Sequence, residues 1–579
     1  MLKIKILYQI SFLALTSLFA LGCQKDEIEI IEEPDKPDEV IKPAVDPEIA
    51  KTVGFFLDSW LPISFEAPLY TEENIPTDGS VNVTVDAAEV LAKIPNGIYG
   101  HNANTWMSTM VDQPLFMKHI TNLNPNVIRW PAGSGSDAYF WNAKTNEIPA
   151  DAPEKIMDKD GVLQNPGYGY GFTSDNWRAS LDNYYSVLST TKSKGIITVN
   201  YGYARYGTSK NPVAAAAHLA ADWVRYDKGR TPYWEIGNEN FGDWEWGYRI
   251  DKSKNQDGQP EFLTGKLYAQ HFKVFADSMQ KAAAEVGATI RIGAVLYDAP
   301  SEGWQTNTVK TWNSGLLTEI ANRADYYIVH NYFTPYDQNS NASVVMDAAQ
   351  TVPSKMMDYV KSVITQSGAQ QKPISMSEWN MWAKGSKQQV SNISGIFGVF
   401  VVAEAIKGNY GLAARWDLLN SWAEGDDHGL FSDGREPGVA KWTPRPSFYY
   451  LYFLQKVMGD RMVQATVDQQ ISGIKPYAST FTSGETGVVL LNTSSAPRAV
   501  KVQLKNKLFG ERFYWYKLEG DNDNGEFSRK VIINGNGPAQ VAGGPENYNT
   551  LKAYSAITKN GIKVTVPARG AVMLVVGGK

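Results

Sequence analysis

"YWEIGNENFGDWEWGY", residues 233–248, begins as one kind of structure and ends as another. "YWEIGNE" (233–239) reads as a candidate strand, a short run that is largely apolar or aromatic at its start, with Glu235 and Glu239 alternating along it. Asn238 and Glu239 close that run, and Asp243, Trp244, Glu245 and Trp246 follow among glycines, which reads as a loop. A buried strand that delivers a carboxylate at its carboxyl end is what the functional rim of a β/α barrel requires.

Seven further segments share this texture: "GIYGHN" (97–102), "NVIRWPAG" (126–133), "GIITVNYG" (195–202), "IRIGAV" (290–295), "YYIVHNY" (326–332), "PISMSEWN" (373–380) and "GLAARWDLLN" (411–420). Helical stretches separate them. In "GKLYAQHFKVFADSMQKAAAEVG", for example, Leu267, His271, Phe275 and Met279 recur at helical spacing. Eight alternations across residues 96–460 predict an α/β fold, a (β/α)8 TIM barrel with long loops. The competing arrangement, an open doubly wound sheet, would place a glycine-rich phosphate turn after its first strand, and none stands there. "GYGYGF" (167–172) misses that fingerprint and reads as a flexible aromatic loop.

Beyond the barrel, residues 461–579 break into short strands such as "GETGVVLLN" and "RFYWYKL", the pattern of a C-terminal β-sandwich. Within residues 53–95, "VGFFLDSW" and "SVNVTVDA" read as strands. The second alternates Val81, Val83 and Val85 on one face and is expected to join the sandwich. "DNDNGE" (521–526) lacks calcium-loop spacing and reads as a hairpin turn.

Composition narrows the function classes. With 43% apolar residues, a net charge of −6 and no block of lysine or arginine, the chain suits a neutral ligand, and no nucleic-acid partner is expected. Residues 1–22 read as a signal peptide, and "ALGC" resembles a bacterial lipobox, which implies that Cys23 is lipidated. An acidic, proline-rich tether is expected over 23–52. Its start, Gln24 to Glu27, resembles the export signal of surface lipoproteins, which implies the outer face of the outer membrane, with contact to the bilayer only through the lipid anchor. With its one cysteine acylated, the chain has no thiol for disulfides, catalysis or metal binding. No HExxH, nucleotide or flavin motif occurs, so neither a resident metal nor a cofactor is expected.

Two carboxylates stand out by position, Glu239 after the fourth segment and Glu378 near the end of the seventh. Parallel strands carry both to one rim, and two carboxylates across a pocket suit glycosidic cleavage. "WEIGNE" followed by "SEW" resembles the clan A retaining glycoside hydrolases, among them α-L-arabinofuranosidases, β-agarases and β-xylosidases, over roughly residues 80–579. The resemblance implies that Glu239 is the acid/base, Glu378 the nucleophile, and Asn238 a contact to a sugar hydroxyl. It also favours a histidine or tyrosine near the nucleophile, here His330 and Tyr332.

Arg129 in the second strand is expected to neutralise Glu235 in the barrel lumen and to keep Glu378 ionised. His101 and Asn102 after the first strand and Trp416 in the eighth are further substrate-binding candidates. Asp243 and Glu245, beyond the strand, read as solvated or as subsite contacts. Trp106, Trp130, Trp141, Trp244, Trp246, Trp379, Trp382 and Trp422 lie in or after candidate strands. Indole faces stack on sugars, so these suit a row of subsites, with about half of them expected in the core instead. Trp244 and Trp379 are the leading subsite candidates.

The expected protein is a polysaccharide-cleaving glycoside hydrolase on a lipid anchor, leaning toward endo-action on a plant or algal polymer. A non-catalytic surface glycan-binding lipoprotein, a transglycosylase and an exo-acting α-L-arabinofuranosidase remain the alternatives.

Overall fold

In the computed structural model, residues 41–131, 133–382, 387–422, 428–468 and 473–579 are described. The expected signal peptide, the lipidation of Cys23 and the tether as far as residue 40 lie outside them. Eight parallel strands close a barrel: β1 (Gly100–Asn102), β2 (Val127–Trp130), β3 (Lys194–Val199), β4 (Tyr233–Ile236), β5 (Arg291–Val295), β6 (Tyr326–Tyr332), β7 (Ile374–Asn380) and β8 (Leu412–Arg415). Each pairs with its successor, and β8 returns to β1 through Arg415 and His101. Every residue of β4 and of β7 is buried, because one face fills the lumen and the other meets the helices. That double burial is why these strands read as continuous apolar runs.

The outer helices fix the strand ends that matter. Helix Gly265–Glu285 starts where the Thr264 side chain accepts a hydrogen bond from Leu267 N, and it buries Tyr268, Phe272, Phe275 and Met279. Full burial of each large apolar side chain stabilises the fold by about 1.5–3 kcal/mol. Tyr268 also donates its hydroxyl hydrogen to Ile236 O at 2.7 Å, tying the helix to the last residue of β4, just before the functional loop.

At the amino end of the barrel the structure departs from the sequence reading. "VGFFLDSW" is not a strand: Gly54–Leu57 form one turn of 3-10 helix. A closed barrel offers no free edge for another strand, whereas its amino-end mouth must be covered. Phe56 covers it, 5.1 Å from the Tyr233 ring and 5.6 Å from that of Tyr326, at the starts of β4 and β6. Gly54 has φ +46°, and a Cβ there would stand 2.6 Å from Pro373 Cγ, so this turn requires glycine.

Eleven strands build the second layer system. Val81–Lys93 enters it from the other end of the chain, antiparallel to Arg461–Val467 and parallel to Arg498–Lys505. Val81, Val83 and Val85 share a core with Val488, Leu490 and Leu574. Asp46, within the expected tether, is held on this body by Arg461 at 2.6 Å and Lys93 at 3.0 Å. "GYGYGF" is ordered as well, with Gly169–Tyr170 paired parallel to Tyr139–Phe140. "DNDNGE" lies in the connection between the antiparallel strands Phe509–Gly520 and Val531–Ile533.

Candidate active site

At the carboxyl ends of the strands, Arg129 organises the lumen. Its Nε donates to Glu235 Oε2 at 2.6 Å, Nη1 to Glu378 Oε2 at 3.0 Å and to Asn102 Oδ1 at 3.1 Å, and Nη2 to Asn238 Oδ1 at 2.8 Å. All five residues are buried, so one guanidinium faces two carboxylates away from water. Thr198 Oγ1 adds a hydrogen bond to Glu235 Oε2 at 3.0 Å, and Glu235 is structural in these contacts.

Glu239 lies three residues past the end of β4 with φ +40°, a left-handed backbone that side-chain-bearing residues seldom adopt. Its Oε1 is 2.9 Å from His330 Nδ1, and its Oε2 accepts from Trp244 Nε1 at 3.1 Å. Glu378, within β7, takes Arg129 on one oxygen and the Tyr332 hydroxyl on the other, at 2.5 Å. His330 stands between the two acids, 3.9 Å from Glu378 Oε2, with Nε2 3.1 Å from Ser377 Oγ. One oxygen of Glu239, one nitrogen of His330 and one oxygen of Glu378 all lie within 4.8 Å of one another. Such a cluster has donors for a cation, but the Arg129 guanidinium already supplies a fixed positive charge on the Glu378 oxygen.

Burial alone raises the pKa of both acids. At Glu239 the His330 hydrogen bond and charge, then Trp244 and Arg129, outweigh burial and hold it below the ordinary range. At Glu378 burial wins: the charges of His330 and Arg129 and the Tyr332 hydrogen bond oppose it, Glu239 adds to it, and the group is raised. The resting proton therefore favours Glu378 while His330 is charged. A neutral His330 would withdraw the charge that lowers Glu239 but not the hydrogen bond, whereas Arg129 cannot lose its charge and continues to favour an anionic Glu378.

The other expected contacts separate into two groups. Trp244 is 56% exposed beside Glu239, and Trp416 packs edge-on to Trp106 at 6.3 Å, its ring 3.1 Å from where a Cβ on Gly133 would stand. Trp379 does not reach the rim. It is 1% exposed and 6.0 Å from Phe397 of the outer helix Asn392–Lys407, because neighbouring strand residues face opposite sides and Glu378 takes the lumen. Trp130 and Trp141 are likewise core residues, stacked on Tyr184 and Trp223. His101 is buried in β1, where burial, then the Arg415 charge, brings its pKa down to about 3 and keeps it neutral.

Sequence reading missed two features. Glu245 is not a solvated loop residue but is buried, hydrogen-bonded to Asn238 at 3.0 Å and Ser134 at 2.7 Å. Asp137, from the turn-like "GSGSDAYF", is buried and accepts from Gly202 N, Asn238 N and Asn240 Nδ2. Asp243, by contrast, pairs with the exposed Lys159 at 3.4 Å. Exposed aromatics also stand where no motif marked them: Trp304, 80% exposed after β5, and Tyr336, 75% exposed after β6.

By sequence, the chain matches no protein-family model and no curated protein. Its fold is similar to that of solved structures. The arabinose complex of α-L-arabinofuranosidase from Thermotoga maritima superposes with a TM-score of 0.56 at 17% identity, covering 86% of this chain and 100% of that one. A bifunctional glucanase-xylanase from a metagenome library gives 0.55 at 13%, covering 87% and 100%. A Paenibacillus polymyxa xyloglucanase of glycoside hydrolase family 44, solved with xyloglucan, gives 0.52 at 13%, covering 86% and 100%. At these identities the likeness is one of fold, a (β/α)8 barrel followed by a β-sandwich.

Proposed function

We propose that this protein is a glycoside hydrolase, and more narrowly a retaining one with Glu378 as nucleophile and Glu239 as acid/base. The observation that carries the reading is the separation of the two acids: oxygens within 4.8 Å fit the about 5 Å of a double-displacement pair and fall short of the ~6.5–9.5 Å of an inverting pair. Glu239 protonates the leaving oxygen while Glu378 attacks the anomeric carbon. In the glycosyl-enzyme Glu378 is an uncharged ester, so Glu239 can ionise and take a proton from water. Asn238, with its amide oxygen turned to Arg129, presents Nδ2 for the neighbouring sugar hydroxyl.

The substrate we infer is a polysaccharide cut internally. Exposed aromatic faces stand beyond both acids: Trp244 beside Glu239, and, on the side of Glu378, Tyr336, packed on Trp382 at 4.7 Å, which the buried His428 joins to Tyr332. Stacking faces beyond one sugar suit a polymer. The arabinose bound by the Thermotoga relative keeps exo-acting arabinofuranoside removal as a second reading. Incubation with a panel of plant and red-algal polysaccharides decides between them. Reducing ends with oligosaccharide products support internal cutting, monosaccharide alone supports the exo reading, and tight binding without product supports a glycan-binding lipoprotein. Surface tethering through Cys23 is part of the same proposal. Incorporation of labelled palmitate, lost in Cys23→Ser, tests it.

His330 holds the proposed acid/base in place in this scheme, with Nδ1 2.9 Å from Glu239 Oε1 and Nε2 3.1 Å from Ser377 Oγ. His330→Asn should therefore lower kcat by about 10-fold or more with the fold retained. An unchanged kcat would remove His330 from this role.

A further inference from the structure

One buried carboxyl beside the proposed acid/base takes no part in either half-reaction. Glu245 is 4% exposed, on the loop after β4. That loop turns back so that consecutive residues reach consecutive residues: Trp244 Nε1 donates to Glu239, and Glu245 Oε1 accepts from Asn238 Nδ2 at 3.0 Å. Ser134 Oγ supports the same Glu245 oxygen at 2.7 Å. On its other side Asn238 is held twice, its Oδ1 by Arg129 Nη2 at 2.8 Å and its backbone N–H by Asp137 Oδ2 at 3.2 Å.

Hydrogen-bond inventory makes this arrangement directional. A guanidinium only donates, so the amide oxygen of Asn238 must face Arg129 and its Nδ2 must face Glu245. One Nδ2 hydrogen is taken by Glu245, and one is left for a ligand. We propose that Glu245 is a positioning residue for the glycosidic reaction: by gripping one amide hydrogen of Asn238 it aims the other at the hydroxyl beside the reacting carbon. This rests on the glycosidase reading above.

The surroundings favour an uncharged grip. Among the described residues no cation pairs with Glu245, and its Oε2 is buried without a partner. Burial, followed by the charges of Asp137 and Glu239, holds this carboxyl well above the ordinary range. A neutral acid also spares Glu239 a second negative neighbour. Burial raises Asp137 as well, to about 7, but its three hydrogen-bond donors at 2.7–3.2 Å act against that rise, so of the two carboxyls Asp137 is the better home for a negative charge.

A double-mutant cycle with Asn238 tests the grip, read on the polysaccharide that the wild type cleaves. Glu245→Ala should lower kcat by about 10–100-fold with KM changed less than about threefold, since a misaimed contact acts mainly in the transition state. Glu245→Gln keeps the acceptor without a charge and should recover most of kcat. In Asn238→Ala, the further change Glu245→Ala should cost nothing more. Additive losses, or a Glu245→Gln as impaired as Glu245→Ala, would overturn the proposal. The same cycle in denaturant unfolding needs no substrate and should be non-additive too; additivity there means that no grip exists. A wild type that cleaves nothing removes the glycosidase reading and this role with it, while the unfolding cycle still reports the contact.

Discussion

Glu378→Ala should lower kcat by about 10⁴-fold or more on any polysaccharide the wild type cleaves, without unfolding the protein. In the proposed mechanism the side chain lost is the one that forms the covalent bond, and no bound sugar would be transferred without it. Glu239→Ala should behave differently. An activated aryl glycoside needs little help from an acid to leave, so the glycosyl-enzyme still forms and then waits for a base that is missing. Azide requires no base. It should enter the space vacated beside His330 and Trp244 and restore turnover, giving a glycosyl azide of retained configuration. Rescue of Glu378→Ala with an inverted azide would agree with the same assignment. Full activity in either variant, or an inverted product from Glu239→Ala, would contradict it.

That these two residues could be paired from sequence has a physical cause. In a parallel barrel, strands buried on both faces read as apolar runs, and the polar residues that end them, as in "WEIGNE", "IVHNY" and "SMSEWN", mark one rim. The eight strands and the two acids follow from that regularity. Local texture failed where tertiary demand overrode it. "VGFFLDSW" has strand-forming residues, yet the barrel mouth needed a plug and took a helical turn. Trp379 shares a strand with Glu378 but faces the opposite way, and a two-residue period with an irregular register near Met376 to Trp379 is easily assigned to the wrong side. Glu245 was the harder case. A charged residue in a glycine-bearing loop reads as solvated, and only the loop's return over β4 buries it. Asp137 was hidden for the same reason, since nothing in "GSGSDAYF" tells that backbone and side-chain donors from three other segments converge on it.

Arg129→Met should cost both stability and activity, and the two losses should come apart. Breaking a buried ion pair by removing one partner typically costs about 3–5 kcal/mol, because the other charge stays buried and uncompensated. Here two carboxylates, Glu235 and Glu378, lose the same guanidinium, and Asn102 and Asn238 lose a hydrogen bond each. Urea unfolding should show the loss as a lower midpoint at unchanged slope. Replacing Glu235 by Gln in the same chain removes one stranded charge, so Arg129→Met/Glu235→Gln should regain about 2 kcal/mol or more of that stability. It should not regain activity. Glu378 is still without its fixed cation, shares a buried site with Glu239, and holds its proton more tightly; Asn238 is no longer aimed from the Arg129 side. A kcat about 10²-fold or more below the wild type is expected to persist in the double variant. Arg129→Lys keeps a charge but not the fork that spans four partners, and should fall between the two in stability while staying close to Arg129→Met in rate. If activity returned together with stability in the double variant, the guanidinium would be serving the fold alone, and the ionisation of Glu378 would need another cause.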